Sequence, residues 1–365
     1  MNEKEKQIID LIKENPYITQ QDIAEQLSLS RSGVAGYISS LTKNGYIVGR
    51  AYVLKEERKL LCIGGANLDR KATAKTSLKL NDSNPVHVRD SLGGVARNIA
   101  ENLARLELPV SLLTVVGNDT EGEKVVKESG RRVDLTPTVR LPGQRTGTYT
   151  AVLDNCGEML VALADMDIYD QIEELHLKEK LAQIRSADFI VMDLNFPKHI
   201  TSFIFKECKK HAIPLGIVPV SANKIDRMPD HVHGLSYFVC NEVEIIDYVK
   251  RVTNKQTLSV QEAMEIAVNE CGIKHVIVTN GADDVKYQMF NGESGTATPY
   301  KANVKDVTGA GDAFSAGLFY GLFQEKVINE ALQFGLAAAK MTLETDSTVN
   351  EQLTAKSLVN TFQQS

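Results

Sequence analysis

Short, uninterrupted apolar runs constrain this chain more than any other feature. From Lys59 onward, Leu60-Leu-Cys-Ile63, Phe189-Ile-Val-Met192 and His275-Val-Ile-Val-Thr279 recur between stretches of helical periodicity. A strand that is apolar at every position must be covered on both faces, and strands that alternate with helices pair in parallel through crossovers. The pattern predicts an α/β domain over 58–365 with a largely parallel central sheet. One interruption breaks it: 147–153 and 158–163 flank Asp154-Asn-Cys-Gly157, a hairpin signal inside a parallel-sheet protein. Together with a segment near 70–90, this one near 145–165 is expected to stand off the sheet as a small β lid.

Residues 1–57 have a different texture. Ile8, Ile9, Leu11 and Ile12 give a first helix its apolar stripe, Thr19 is placed to cap a second through Leu27, and Ser30 a third through Thr42. Two helices joined by Ser28-Leu29-Ser30 make a helix-turn-helix, and 44–54 reads as a hairpin wing. This head resembles the winged helix-turn-helix domains of bacterial regulators. The six basic and six acidic residues of 1–54 balance, yet 26–54 holds Arg31, Lys43 and Arg50 and no acid. Phosphate contacts require that placement on the recognition helix and wing. Arg31, Ser32 and Tyr37 are candidates to reach DNA, with Lys43 and Arg50 on its backbone; a solvated helix face would look much the same.

The densest chemical signal is Asp306-Val307-Thr308-Gly309-Ala310-Gly311-Asp312, running into a small-residue helix. Glycines at a helix start gather bare backbone N–H groups, and these with the helix dipole can hold charge on a transferring phosphoryl group. Asp312, in that first turn, can take the proton of an attacking hydroxyl. A second glycine pair, Gly93-Gly94, opens another helix through Asn98, and Asn67 and Asp69 follow the first strand of the α/β domain, where open sheets bind ligands. Both side chains can bond vicinal hydroxyls. Gly117–Lys124 imitates a P-loop, but Lys124 comes one residue late and lacks a following Ser or Thr, so a capped helix start is expected.

In the order and content of its two glycine motifs, the chain over 59–349 resembles the ribokinase family, the PfkB carbohydrate kinases. The resemblance implies a ribokinase-like sandwich with a β lid, use of ATP and Mg²⁺, and Asp312 as base beside an anion hole of Gly309, Ala310 and Gly311. It implies a sugar or nucleoside held by Asn67, Asp69, Gly93, Gly94 and Asn98. Asn241 and Glu244 match an element that organises magnesium through water, although a capped helix start reads identically. Thr279 and Gly281 match a loop that approaches the nucleotide phosphates. Asp306 and the Thr308 carbonyl match a potassium site, and the lid hairpins match a homodimer contact.

Within the family, Asn81–Pro85 followed by Gly93–Asn98, Leu153–Ala162 with Asp165 and Met166, and Pro219–Ala222 with Lys224 resemble the pseudouridine kinases, implying transfer to the 5′-hydroxyl of pseudouridine. Another nucleoside or a pentose is the alternative, as is a ligand-sensing transcriptional regulator. Ser83, Asn84 and Asp165 are candidates to read a base, or equally to cap turns. Two positions depart from the pattern, Val218 where an acid is expected and Val86 where relatives often carry glycine.

Charge and composition narrow the surroundings. A net charge of −6 argues against a chain coated in nucleic acid or adsorbed to an anionic membrane, so any DNA contact is local. The first seven residues alternate charges where a secretory signal needs an apolar core. The five cysteines form no C-x-x-C pair and read as buried thiols of a soluble, cytoplasmic protein. His231 and His233 form an H-x-H pair that reads as a loop pair more readily than as a metal site.

Overall fold

The computed structural model describes residues 1–16, 18–49, 58–255 and 257–363. Fourteen strands are found among them: β1 Leu60–Ile63, β2 Asn67–Ala74, β3 Val86–Gly93, β4 Val110–Leu113, β5 Val115–Gly117, β6 Val139–Leu141, β7 Thr148–Leu153, β8 Met159–Asp165, β9 Phe189–Asp193, β10 Leu215–Val218, β11 Tyr237–Asn241, β12 His275–Asn280, β13 Asp283–Met289 and β14 Ser294–Ala297. Eight form the main sheet in the order β14-β13-β12-β11-β10-β9-β1-β4, parallel from β12 to β4 and antiparallel at the β13-β14 edge. The apolar runs explain the layers. Leu61 and Ile63 of β1 enter one buried cluster with Ile200, Ile204 and Ile245, whereas Leu60 and Cys62 enter a second with Ile99, Leu103 and Phe319. Helices therefore cover both faces, as strands without a polar side require.

The lid is a separate four-stranded sheet, β3-β2-β7-β8. Two local antiparallel hairpins, β2-β3 and β7-β8, are joined by the parallel pairing of β2 with β7, which sets Leu68 beside Thr148. The lid thus spans 67–93 and 148–165, the first slightly wider and the second slightly narrower than its sequence signal. Every residue of β8 is exposed. Cys156, in the β7-β8 turn, is exposed as well, which corrects the expectation that all five thiols are buried; a two-faced hairpin standing off the sheet has no core in which to hide it.

In the head, helices Glu3–Glu14, Gln20–Gln26 and Arg31–Lys43 are capped by Asn2, Thr19 and Ser30, each side chain accepting a first-turn N–H. Ile8, Ile12, Ile23, Val34, Leu41 and Ile47 make its core. Most of the wing, Arg50 and the domain boundary at 57/58 lie outside the described residues. The head rests on the kinase-like domain through the end of its third helix. Arg185 Nη1 donates to the Lys43 carbonyl at 2.9 Å, while its Nε and Nη2 hold Glu207 at 2.9 and 2.7 Å. A Cβ on Gly45, whose φ is +77°, would lie 2.7 Å from the Arg185 and Ser186 backbone, so the two chains of atoms touch directly. No helix among the described residues is long and apolar enough to cross a membrane.

Candidate active site

Parallel strands deliver their carboxyl ends to one edge of the sheet, and the polar residues collect there. Gly64, Gly65 and Asn67 follow β1, Asp193 ends β9, and Asn241 of β11 is the register partner of Thr279 of β12. Asp193 binds this edge together. Its Oδ2 accepts the N–H groups of Gly65 and Ala96, both at 2.9 Å, and its Oδ1 accepts that of Asn195 at 2.8 Å. One carboxylate thus joins the loop after β1, the start of the helix Val95–Arg105 and the end of β9. Burial pushes its pKa up, opposed by these donated hydrogen bonds. Gly94, with φ +99°, closes the corner, where a Cβ would stand 2.3 Å from the Gly65 carbonyl oxygen.

The lid brings Asn67, Asp69 and Gly93 to the same edge. Asn67 and Gly93 are register partners across β2 and β3. Asn67 Nδ2 donates to Asp69 Oδ1 at 2.5 Å, and a Cβ at Gly93 would fall 2.3 Å from the same carboxylate. Burial raises Asp69 to about 6, with the Asn67 hydrogen bond and the charges of Lys71 and Arg97 pulling the other way. Tyr169 braces the strand entry by donating to the Ala66 carbonyl at 2.9 Å.

Asp312 lies in the first turn of the helix Ala310–Phe323, whose N-cap Gly309 has φ +82°. A Cβ there would meet the Thr348 carbonyl oxygen at 2.0 Å, so only glycine admits this cradle of N–H groups. Asn98 Nδ2 donates to Asp312 Oδ2 at 2.8 Å, and Arg97 Nη1 donates to Asn98 Oδ1 at 3.0 Å. Arg97 is itself paired with Glu101, which also holds Arg105 at 2.7 Å. Asp312 is partly exposed but densely surrounded by protein. Burial lifts it to about 7; the Asn98 bond lowers it, and the carboxylates of Asp193 and Asp69 push it higher. Such a carboxylate can accept a proton near neutrality and sits where phosphoryl charge can be received.

Asn67, Asp69, Gly93, Gly94, Asn98 and Asp312 are thus brought together by side-chain bonds, strand register or close backbone packing. Asn241 and Glu244 form a capping box: Asn241 Oδ1 accepts from Glu244 N and Glu244 Oε2 accepts from Asn241 N, both at 2.9 Å. Glu244 is buried, which raises its pKa, and the cap uses only one carboxylate oxygen, so Oε1 fits a water on a nucleotide-borne magnesium. Thr279 Oγ1 donates to the Cys240 carbonyl at 3.3 Å, and Gly281 turns the chain with φ +54°. Asp306 Oδ1 accepts Thr308 N–H at 2.8 Å and its hydroxyl at 2.6 Å. The P-loop look-alike is a helix start, with Asp119 capping Gly122 N–H at 2.8 Å. Asn84 spends both ends of its amide on the Lys79–Asp82 turn, so it closes that turn instead of presenting itself to a base.

In the head, Arg31, Ser32 and Lys43 are exposed. Tyr37 is half-buried against the head's core, which leaves it less free to reach DNA than the sequence suggested. Sequence reading assigned no role to Asp193, Asn195, Arg97 or Lys71. A lone acid ending an apolar strand was the available signal for Asp193, and Arg97 lay inside a motif whose asparagine drew the attention.

Residues 57–355 match the family model of the pfkB family carbohydrate kinases, and residues 1–48 match that of a winged helix-turn-helix DNA-binding domain. The chain is 30% identical over 359 residues to the uncharacterized sugar kinase YeiI of Escherichia coli, covering 97% of each chain. It is 31% identical over 310 residues to the pseudouridine kinase of Escherichia coli, covering 84% of this chain and 97% of that one. A solved structure of a putative sugar kinase from Clostridium perfringens superposes with a TM-score of 0.73 at 26% identity, over 85% of this chain and 96% of the other. With this coverage and this constellation at the sheet edge, the chain belongs to the pfkB family of carbohydrate kinases.

Proposed function

We propose that this kinase transfers the terminal phosphoryl group of ATP to the 5′-hydroxyl of pseudouridine. The observation that carries the reading is the Asn98–Asp312 pair at 2.8 Å beside the Gly309–Gly311 cradle, which puts a neutral-range base next to bare helix-start N–H groups. Asn67 and Asp69 bind the ribose hydroxyls. Asp312 Oδ accepts the proton of the attacking hydroxyl as the bond to the terminal phosphorus forms and the bond to the leaving phosphate oxygen breaks. The cradle receives charge on the transferring group. Glu244 would hold a water of a nucleotide-borne magnesium, which when bound would neutralise phosphate charge, and Thr279 and Gly281 shape the nucleotide approach. The lid excludes water and so limits ATP hydrolysis. Similarity to the pseudouridine kinase supports this substrate over other nucleosides or pentoses.

The exposed apolar residues Met159, Leu160, Val161 and Leu163 on β8 support a homodimer formed through the lids. The head then binds DNA through Arg31, Ser32 and Lys43, with two copies giving avidity. A regulator that only senses a nucleoside needs no base, whereas this chain has one. The test is ATP consumption across pseudouridine, uridine, other nucleosides and ribose. Preference for pseudouridine supports the proposal, another preferred substrate replaces that part of it, and silence on all favours the sensor.

A further inference from the structure

β2 points alternate side chains to one face, and three of them in succession are polar: Asn67, Asp69 and Lys71. The first two serve the hydroxyl-binding side. Lys71 Nζ reaches the loop that opens the phosphoryl cradle, 3.0 Å from Asp306 Oδ2. The other oxygen of Asp306 is already occupied by the N–H and hydroxyl of Thr308. A bare carboxylate three residues ahead of Gly309 would oppose an incoming phosphate, so the cradle needs a positive charge at Asp306. In the resemblance drawn from sequence, potassium fills that need. Here the oxygen left for it is engaged in a charge-assisted hydrogen bond from the chain's own ammonium, so Asp306 already carries its compensating charge and has no unengaged oxygen for an added cation.

We propose that Lys71 is a built-in counter-cation for the phosphoryl cradle, making this kinase independent of potassium. The inference rests on the phosphoryl-transfer reading above. Lys71 and Asp306 both line a cleft of about 990 Å³. A cation from solvent can therefore reach Asp306 once the ammonium is removed. Lys71 also ties the lid strand to the cradle, so lid position and charge compensation arrive together.

The test uses the full chain with MgATP and its best acceptor, in potassium, sodium and tetramethylammonium chlorides of equal ionic strength. Wild type is expected to show equal rates in all three. Lys71→Ala is expected to lose about ten-fold or more in tetramethylammonium and to regain activity with potassium, while Lys71→Arg stays indifferent to the cation. A second readout is independent of turnover: potassium should raise the melting temperature of Lys71→Ala relative to tetramethylammonium and leave wild type unmoved. Potassium-dependent wild-type turnover or melting, or a Lys71→Ala variant blind to the cation, overturns the proposal. If no acceptor supports turnover, the phosphoryl-transfer reading fails by itself and the melting comparison still decides the role of Lys71.

Discussion

Asn98 presents its amide nitrogen, not its oxygen, to Asp312, at 2.8 Å. That orientation is dictated by Arg97, whose guanidinium can only donate and so claims Asn98 Oδ1. Replacing Arg97 with Met frees the amide to turn. The expected loss in kcat/KM is about ten- to a hundred-fold, the worth of one hydrogen bond to a charged group. The acid limb of the pH–rate profile should also move upward, because the Asn98 donor and the Arg97 charge both hold the Asp312 pKa down. A purely structural role would leave that limb in place, and Arg97→Lys should restore part of it.

Asp312 titrates at about 7, above its ordinary 3.8. Turnover should therefore rise about ten-fold per pH unit below 7 and level off above it. Stability runs the opposite way. Between pH 4 and 7 the native state holds a proton that the unfolded chain has released, so raising pH across that window removes up to a few kcal/mol. Asp312→Asn should lower kcat by about 10²–10⁴-fold, keep nucleoside binding, and melt higher than wild type at pH 8. Calorimetry and pH–rate measurements on both proteins check this.

Gly94→Ala and Gly143→Ala make a matched pair, since both glycines have positive φ, +99° and +78°. Only at Gly94 does a Cβ collide, 2.3 Å from Gly65 O; Gly143 has nothing within 4 Å. The first should cost several kcal/mol and raise KM, the second only about 1 kcal/mol of backbone strain without a kinetic effect. Urea unfolding and acceptor titrations separate them.

Arg185 links the head to the kinase domain while neutralising Glu207, and the side chains of both are largely buried. Arg185→Ala strands that carboxylate and releases the Lys43 carbonyl. A loss of about 3 kcal/mol is expected, together with a separate, earlier melting transition for residues 1–49. Adding Glu207→Gln should recover much of the loss without re-docking the head. Limited proteolysis reports the docking.

DNA affinity should fall linearly in log–log plots against salt. Arg31→Ala should reduce the slope by about one, as for a single phosphate contact. A salt-insensitive interaction, or none at low salt across a promoter library, removes the regulatory role.

Much of this was legible in the chain because the informative residues were local. The uniformly apolar Leu60–Ile63 run announced a two-sided sheet, Asp154–Gly157 announced the hairpin, and Gly309 to Asp312 announced the cradle. What stayed hidden depended on distant partners. Asp193 matters because Gly65 and Ala96, far from it in sequence, both donate to it. Lys71 has meaning only once β2 faces Asp306, and Arg185 only once the head is docked. Asn241 and Glu244 were ambiguous because a capping box and a magnesium element share one spacing, and the fold satisfies the cap.

The parallel joint between β2 and β7 also bears on folding, because it is the non-local part of the lid. Each lid hairpin is local, but Leu68 can meet Thr148 only when the long loop between them closes. Such non-local parallel pairing is slow, since its loop must close before any contact rewards it. Asn67 and Asp69 belong to that joint. The strand that carries both side chains is therefore tied into place by a long-range closure and not by its own hairpin alone, as β1 is by its parallel pairing with β9.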